Sequence, residues 1–207
     1  MIEEKDTYRT ISAIAEAIFT EQRSKFIAIA IPVQTVEEVK EHLAFYQKKY
    51  YDARHLCYAY MIGAKGEIFR ANDNGEPSGT AGKPILGQIK SKEVSNVLII
   101  VVRYFGGIKL GTGGLISAYK TAAAMALETA EIIERTVDGA LTIGFEYPFL
   151  NDVMRIIKEE NPQILSQAFE MDCTMTLQIR LAQYPRLTSR LQEVESLRIL
   201  SASPELS

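Results

Sequence analysis

Apolar residues in the first 136 positions recur with the spacing of several strands and helices. Alternating or continuous apolar runs predict strands over residues 8–18, 25–31, 55–62, 67–71 and 97–102. The run at 97–102 contains only Val, Leu and Ile, which indicates a strand with both sheet faces covered. A helix is predicted after Thr35, which has capping-box spacing to a glutamate. Two more are predicted around Pro84 and from residues 111–114 to about Arg135.

Residues 137–207 carry a second, shorter set of elements. Strands are predicted over residues 140–147, 164–171, 174–181 and 198–202, and helices over residues 148–160 and 184–194. The resulting βαββαβ order is the ferredoxin-like signature. The sequence therefore predicts an α+β protein with two domains, residues 1–136 and 137–207, and places the boundary near residues 136–139.

Glycine and positive charge are concentrated in the middle of the chain. Eleven of the thirteen glycines fall between Gly63 and Gly114. Residues 54–120 carry nine Lys and Arg against four Asp and Glu, although the whole chain has a net charge of −3. We therefore expect the functional residues in this segment.

Other classes of protein are excluded by the same sequence. No apolar run approaches the roughly 20 residues needed to cross a bilayer, and the charged start lacks the apolar stretch of a secretory signal. Two cysteines and two histidines argue against a disulfide framework and a zinc site. We expect a cytoplasmic protein without a membrane partner, a metal or a bound cofactor.

The glycine-rich segment between the strand at 97–102 and the following helix is predicted to bind an anion. Glycine lets a backbone approach a ligand closely, and successive amides before a helix form an anion-binding concavity. The candidate binding residues in this segment are Arg103, Gly106, Gly107, Lys109, Gly111, Thr112, Gly113 and Gly114. The spacing meets neither the P-loop nor the dinucleotide fingerprint. The alternative is that these glycines only make a tight connection from strand to helix.

A second loop, residues 72–84, is dense in turn-forming residues. Its candidate binding residues are Asp73, Glu76, Thr80 and Lys83. Asp73 and Glu76 could form a carboxylate pair for acid–base work or bind a divalent ion, although the further acids of a calcium loop are missing. Two alternatives stay open. The loop could be an Asx-rich turn in which Ser78 or Thr80 caps a helix, or Glu76 could hold a basic neighbour such as Arg54 or Lys83.

The third candidate group, Arg54 and His55, lies at the start of a predicted strand and suits phosphate binding. His55 and Cys57 share one face of that strand, so a nucleophilic Cys–His pair is conceivable. No third residue is available to orient the histidine. Cys57 is expected to be a small buried apolar residue, and we predict no catalytic residue.

These segments together resemble the YigZ/IMPACT family. The resemblance is carried by Arg54-His55, by residues 73–84 (DNGEPSGTAGKP) and by residues 101–115 (VVRYFGGIKLGTGGL). It covers about residues 15–130 for the shared IMPACT domain, and the tail resembles the second domain of the bacterial YigZ branch. One departure is Leu56, since Arg-His-His is common in the family where this chain has Arg-His-Leu. The departure weakens any role that needs two histidines.

The resemblance also implies a fold and a function. The first domain is expected to have the left-handed βαβ fold shared with the fourth domain of elongation factor G and with GHMP kinases. The second is expected to resemble that factor's ferredoxin-like fifth domain. Eukaryotic relatives regulate translation by interfering, through a partner protein, with activation of the amino-acid-starvation kinase. For bacterial members the resemblance implies nucleic-acid or ribosome binding.

Our leading hypothesis is a binding protein that docks RNA, the ribosome or a translation-associated protein. The predicted groove contains Arg54, His55, Lys83, Arg103 and Lys109. An enzyme that acts on a small phosphorylated ligand is the second hypothesis, with Asp73 or Glu76 as its base. A protein–protein regulator of a stress response is the third.

Overall fold

The computed structural model describes residues 6–203, which form two compact units. The first unit comprises residues 8–135, and the second comprises residues 136–203 together with Asp6 and Thr7. The predicted domains placed Asp6 and Thr7 in the first domain instead. These residues join the second unit because the Asp6 carboxylate accepts hydrogen bonds from the Arg180 guanidinium at 2.5 and 2.7 Å. The Asp6 carbonyl also accepts one from the Val137 amide at 2.8 Å.

The chain from Thr7 to Thr136 forms seven strands and three helices. They are β1 (Thr7–Ile11), β2 (Ala15–Glu21), β3 (Ser24–Pro32), α1 (Val36–Lys49), β4 (His55–Ile62), β5 (Ile68–Asn72), α2 (Gly82–Ser91), β6 (Val97–Tyr104), α3 (Gly111–Thr129) and β7 (Ile132–Thr136). Five strands form an antiparallel sheet in the order β2-β3-β6-β4-β5, and β1 pairs with β7. Because β3 and β4 both run antiparallel to β6 between them, β3–α1–β4 is a crossover between two parallel strands.

The central strand β6 has both faces covered, as its continuous apolar run predicts. Every residue from Val97 to Val102 is buried. Helices α2 and α3 pack on one face of the sheet, and α1 packs on the other through Val39 and Tyr46. Four buried alanines of α3 permit close packing on the sheet; they are Ala118, Ala122, Ala123 and Ala126.

Two sequence predictions for this unit are wrong. The single strand predicted over residues 8–18 is two strands, and the helix predicted to reach about Arg135 ends at Thr129. Both errors have one cause, the pairing of β1 with β7. In the turn between β1 and β2, the Ser12 amide donates to the Glu131 carbonyl at 2.9 Å. Residues after Thr129 pair with β1 instead of continuing the helix, and the β-branched pair Ile132-Ile133 favours the strand.

The second unit has the predicted βαββαβ order. Its elements are β8 (Asp138–Glu146), a 3₁₀ turn (Tyr147–Phe149), α4 (Leu150–Glu160), β9 (Gln163–Ala168), β10 (Asp172–Arg180), a second 3₁₀ turn (Leu181–Gln183), α5 (Tyr184–Gln192) and β11 (Arg198–Ser203). The antiparallel sheet has the order β11-β8-β10-β9, and its core lies between one face and the two helices. Strand β9 ends at Ala168, three residues before the predicted end. Within residues 6–203 no helix is long and apolar enough to cross a membrane.

Candidate functional site

A cavity of about 390 Å³ opens in the first unit where β4 begins, β6 ends and α3 begins. Its lining residues come from four segments of the chain; they are Arg54, His55, Glu76, Pro77, Arg103, Phe105, Lys109, Leu110, Gly111, Thr112 and Leu115. The two glycine-bearing segments that the sequence singled out therefore meet at one place.

Strand register brings the basic residues of this cavity together. Arg103 lies opposite His55 in the β4–β6 pair and opposite Phe26 in the β3–β6 pair. Residues directly opposite each other in an antiparallel pair project from the same face of the sheet. The Arg103 guanidinium lies over the rings of Phe26 and Phe105, with Cζ 5.6 Å from each ring centroid. Such contacts stabilise a cation and fix its orientation.

Arg103 forms a buried ion pair with Glu76. The distance from Nη1 of Arg103 to Oε1 of Glu76 is 2.7 Å, and the two side chains are 8% and 4% exposed. The Tyr119 hydroxyl donates to the same carboxylate oxygen at 2.9 Å. Among residues 6–203, Nε of Arg103 is buried and has no hydrogen-bond partner. The pair therefore anchors the guanidinium while leaving one donor of the side chain unused.

Cys57 and Tyr119 continue this buried network. The Cys57 thiol donates to the Asp73 carbonyl at 2.9 Å and lies 3.3 Å from the Tyr119 hydroxyl. Burial raises the pKa of Cys57 to about 12 and holds the pKa of Tyr119 far above its usual range. Both groups therefore stay neutral near pH 7. The prediction that Cys57 is a small buried residue is confirmed, and its thiol is not an activated nucleophile.

His55 is held by the loop and not by the thiol. Its Nδ1 lies 3.0 Å from the Asn74 carbonyl oxygen. Because a carbonyl oxygen only accepts, Nδ1 carries the proton, which leaves Nε2 as the acceptor of the neutral ring. His55 and Cys57 thus bond to two different backbone carbonyls of the same loop. This arrangement contradicts a nucleophilic Cys–His pair.

Asp73 organises the loop that carries Glu76. Its carboxylate accepts hydrogen bonds from the amides of Gly79, Ala81 and Gly82 at 2.8, 2.9 and 2.8 Å. Burial alone would raise the pKa of Asp73, but these amides and nearby Lys83 together lower the pKa below its usual value. The carboxylate also caps the start of α2, since Ala81 and Gly82 lie at the beginning of that helix.

The polar side chains of this loop have separate hydrogen-bond partners. The Asp73 and Glu76 carboxylates bind different partners: Asp73 accepts from backbone amides of the loop, and Glu76 accepts from Arg103. Asp73, and neither Ser78 nor Thr80, supplies the helix cap; the Thr80 hydroxyl instead donates to the Pro77 carbonyl at 2.7 Å. Glu76 does hold a basic side chain, but that side chain belongs to Arg103 and not to Arg54 or Lys83.

The structure brings half of the predicted binding residues to the cavity. Those in its lining are Arg54, His55, Glu76, Arg103, Lys109, Gly111 and Thr112. Those outside the lining are Asp73, Thr80, Lys83, Gly106, Gly107, Gly113 and Gly114. A role in binding stays a prediction for the residues of both groups.

Gly106 has a packing role that its place in the motif did not reveal. A Cβ atom at this position would lie 2.0 Å from the carbonyl carbon of Arg23, in the turn between β2 and β3. The Gly106 amide donates to the Ser24 hydroxyl at 3.2 Å. Close packing against the β2–β3 turn therefore accounts for the glycine at this position.

Sequence reasoning missed the aromatic and apolar part of the site. Tyr119, Phe105, Leu110 and Leu115 were not singled out, although Phe105 and the two leucines line the cavity. One signal was present for Tyr119, the only tyrosine of the alanine-rich helix α3. Its spacing from Leu115 and Ala122 places it on the buried face, where a tyrosine hydroxyl requires a polar partner.

The site carries no metal-binding cluster within residues 6–203. Groups of three or more His, Cys, Asp or Glu side chains that could hold an ion are absent from this part of the chain. The cavity lining itself combines basic side chains, the Glu76 carboxylate and apolar side chains.

Comparison with known proteins finds a matching family model and similar bacterial proteins. The family model of the Impact N-terminal domain matches residues 22–127. The chain is 36% identical over 153 residues to the IMPACT family member YvyE of Bacillus subtilis (strain 168), which covers 74% of this chain and 70% of that protein. It is 30% identical over 184 residues to the IMPACT family member YigZ of Escherichia coli (strain K12), over 87% of this chain and 90% of that protein.

A solved structure agrees with these matches. The crystal structure of a hypothetical protein superposes with a TM-score of 0.75 at 28% identity and covers 96% of this chain and 98% of that one. The family model spans half of the chain, and the bacterial relatives align over most of their own lengths. The chain therefore belongs to the IMPACT family, as its two glycine-bearing loops predict.

Proposed function

We propose that this protein binds RNA at a translation-associated surface and that the cavity holds RNA phosphate. The observation that carries the proposal is the convergence of Arg54, Arg103 and Lys109 on one cavity together with the start of α3. Glu76 is the one carboxylate in that lining, and its charge is already balanced by Arg103. The remaining positive charge faces the cavity.

The start of α3 supports an anion at the same place. Leu110 precedes the helix and provides no side-chain cap, and the first turn contains no acidic residue. The first amides of a helix lack partners within the helix, and the helix dipole places partial positive charge there. Gly111 and Thr112 bring these amides into the lining, so phosphate is the ligand group that the lining suits best.

The link to translation rests on family resemblance and fold. Family resemblance implies translation regulation for eukaryotic members and nucleic-acid or ribosome binding for bacterial ones. The β3–α1–β4 crossover and the βαββαβ order of the second unit are compatible with the proposed kinship to domains of elongation factor G. We include that kinship, a ribosomal partner and a cytoplasmic location in the proposal.

An enzymatic role has less support from the site. A carboxylate that acts as a general base must be free to take a proton. The Asp73 carboxylate accepts three backbone hydrogen bonds, and the Glu76 carboxylate binds Arg103 and Tyr119. Neither group is placed to serve as the base that the enzymatic hypothesis needs.

The test is a filter-binding titration with RNA over a range of salt concentrations. We expect measurable affinity at low salt that falls steeply with salt, because phosphate binding releases counterions. Lys109→Gln and Arg54→Gln should each weaken binding roughly three- to tenfold. Each should also reduce the slope of log affinity against log salt by about one.

Lys120→Gln is the matched control. Lys120 is exposed on α3, the helix that begins two residues after Lys109. Its replacement removes the same charge, and it is not part of the cavity lining. Binding that is absent at low salt contradicts the proposal. Equal losses from Lys109→Gln and Lys120→Gln would show that general charge, and not the cavity, attracts RNA.

A further inference from the structure

We propose that the cavity receives a single unpaired nucleotide, whose base stacks on Phe105 while its phosphate lies at the basic residues and the start of α3. This inference rests on the proposed function and specifies its ligand. Its starting point is the mixed lining, in which Phe105, Leu110 and Leu115 accompany Arg54 and Lys109. A nucleotide presents the same combination, a flat aromatic base attached to a charged phosphate.

Phe105 has the properties of a stacking platform. Its side chain is 50% exposed although it is apolar, and it lines the cavity. The Arg103 guanidinium lies over the ring and is itself held by Glu76. An exposed aromatic ring supported in this way offers a flat surface on which a base of any identity can stack.

The backbone next to Phe105 is held in place. Gly106 follows it directly, donates to the Ser24 hydroxyl and approaches Arg23 so closely that no Cβ atom fits. The preceding residue, Tyr104, is the last residue of β6. Because both neighbours of Phe105 are fixed, its backbone loses little conformational freedom when a base stacks on the ring.

The size of the cavity favours one nucleotide over a helix of RNA. A volume of about 390 Å³ lies near the lower end of the range for small-molecule sites, about 300–1,000 Å³. Bases in a duplex are already stacked on both faces, so a protein ring can reach only a base in a loop, a bulge or a strand end. The expected ligand is therefore unpaired RNA.

The experiment uses the full chain with one substitution. Since the chain contains no tryptophan, Phe105→Trp introduces a single indole at the proposed stacking position. We expect its fluorescence to be quenched by a single-stranded oligoribonucleotide, with at least tenfold weaker affinity for a duplex of equal length. No quenching at saturating single-stranded RNA, or equal affinity for the duplex, overturns the inference.

Substitution of the ring provides the second measurement. Phe105→Ala should weaken single-stranded binding by roughly five- to a hundredfold without changing the salt dependence, because stacking involves no counterions. Phe105→Leu keeps apolar bulk without an aromatic face and should lose a similar factor. Binding restored by leucine contradicts stacking. Circular dichroism of both variants checks that the fold is retained.

Phe69 supplies a matched control, an exposed phenylalanine on strand β5. It is 54% exposed on β5 and has the Lys90 ammonium 4.8 Å from its ring centroid, but it does not line the cavity. Phe69→Ala should leave binding unchanged. Salt-dependent RNA binding with equal effects of Phe69→Ala and Phe105→Ala refutes the stacked nucleotide and leaves the proposed function standing. The absence of any RNA binding refutes both.

Discussion

Removing the Arg103 guanidinium should strongly destabilise the first unit. In Arg103→Met the apolar part of the side chain is largely retained, but the Glu76 carboxylate stays buried and loses its ion pair, which leaves it the hydrogen bond from the Tyr119 hydroxyl. Breaking a buried ion pair by removing one partner costs about 3–5 kcal/mol of the free energy of unfolding. For a unit of this size that loss corresponds to a fall in melting temperature of about 10–20 °C.

A second substitution separates the ion pair from other effects of the change. In the Arg103→Met background, Glu76→Gln removes the buried charge and keeps an oxygen that can accept from Tyr119. The double variant should be about 1–3 kcal/mol more stable than the sum of the two single losses predicts. Arg54→Met is the control for loss of a positive charge, since Arg54 is exposed, and it should cost less than about 0.5 kcal/mol.

The assay is urea unfolding at pH 7, monitored by circular dichroism. It compares the wild type, Arg103→Met, Glu76→Gln, the double variant and the control Arg54→Met. The slope of the transition should be the same for all variants, so that the midpoint reports stability. A loss below about 1 kcal/mol for Arg103→Met, or strict additivity in the double variant, would refute the reasoning. Either result would mean that the carboxylate reaches water despite its burial.

Neither Cys57 nor Cys173 should react with a thiol reagent in the native protein near pH 8, and both should react in denaturant, because both are buried and the pKa of Cys57 is raised. Gly106→Ala should cost about 1–3 kcal/mol in urea unfolding through its clash with the backbone of the β2–β3 turn. Gly113→Ala should cost nothing measurable there, since a Cβ atom meets no neighbour. Asp73→Asn should destabilise by a constant amount above about pH 6, and the difference from wild type should shrink below about pH 4. The sign follows from the lowered pKa of Asp73, which makes the unfolded state bind the proton more readily as the pH falls. Urea unfolding at a series of pH values measures it.

Local patterns in the sequence were sufficient for most elements of the fold. The apolar run at Val97–Val102 predicts β6, and the spacing after Thr35 predicts α1, whose Thr35 hydroxyl accepts from the Glu38 amide at 3.2 Å. Prediction failed where pairing between distant segments decides the outcome. Strand β7 exists because it pairs with β1, more than a hundred residues earlier, and no local pattern near Ile132 contains that information.

The same distinction applies to the candidate site. Residue types and glycine spacing were enough to select Arg54, His55, Arg103 and Lys109, which the structure brings to one cavity. The sequence did not predict that Arg103 is the partner of Glu76. The two residues are 27 positions apart, and the register of β4 and β6 brings them together. The sequence therefore identifies the basic residues of the cavity, whereas the pairing of its side chains depends on tertiary contacts.

The two glycine-bearing segments have different roles in the structure. The loop after β5 is held from within by Asp73, and it supplies Glu76 to anchor Arg103. The segment after β6 contributes Lys109 and the start of α3, where Leu110 provides no side-chain cap, to the cavity lining. Substitutions in the first loop should therefore act on affinity through stability, and those at Lys109 through direct contact with the ligand. Measuring unfolding and binding on the same variants distinguishes these effects, since only a contact residue lowers affinity while the free energy of unfolding stays constant.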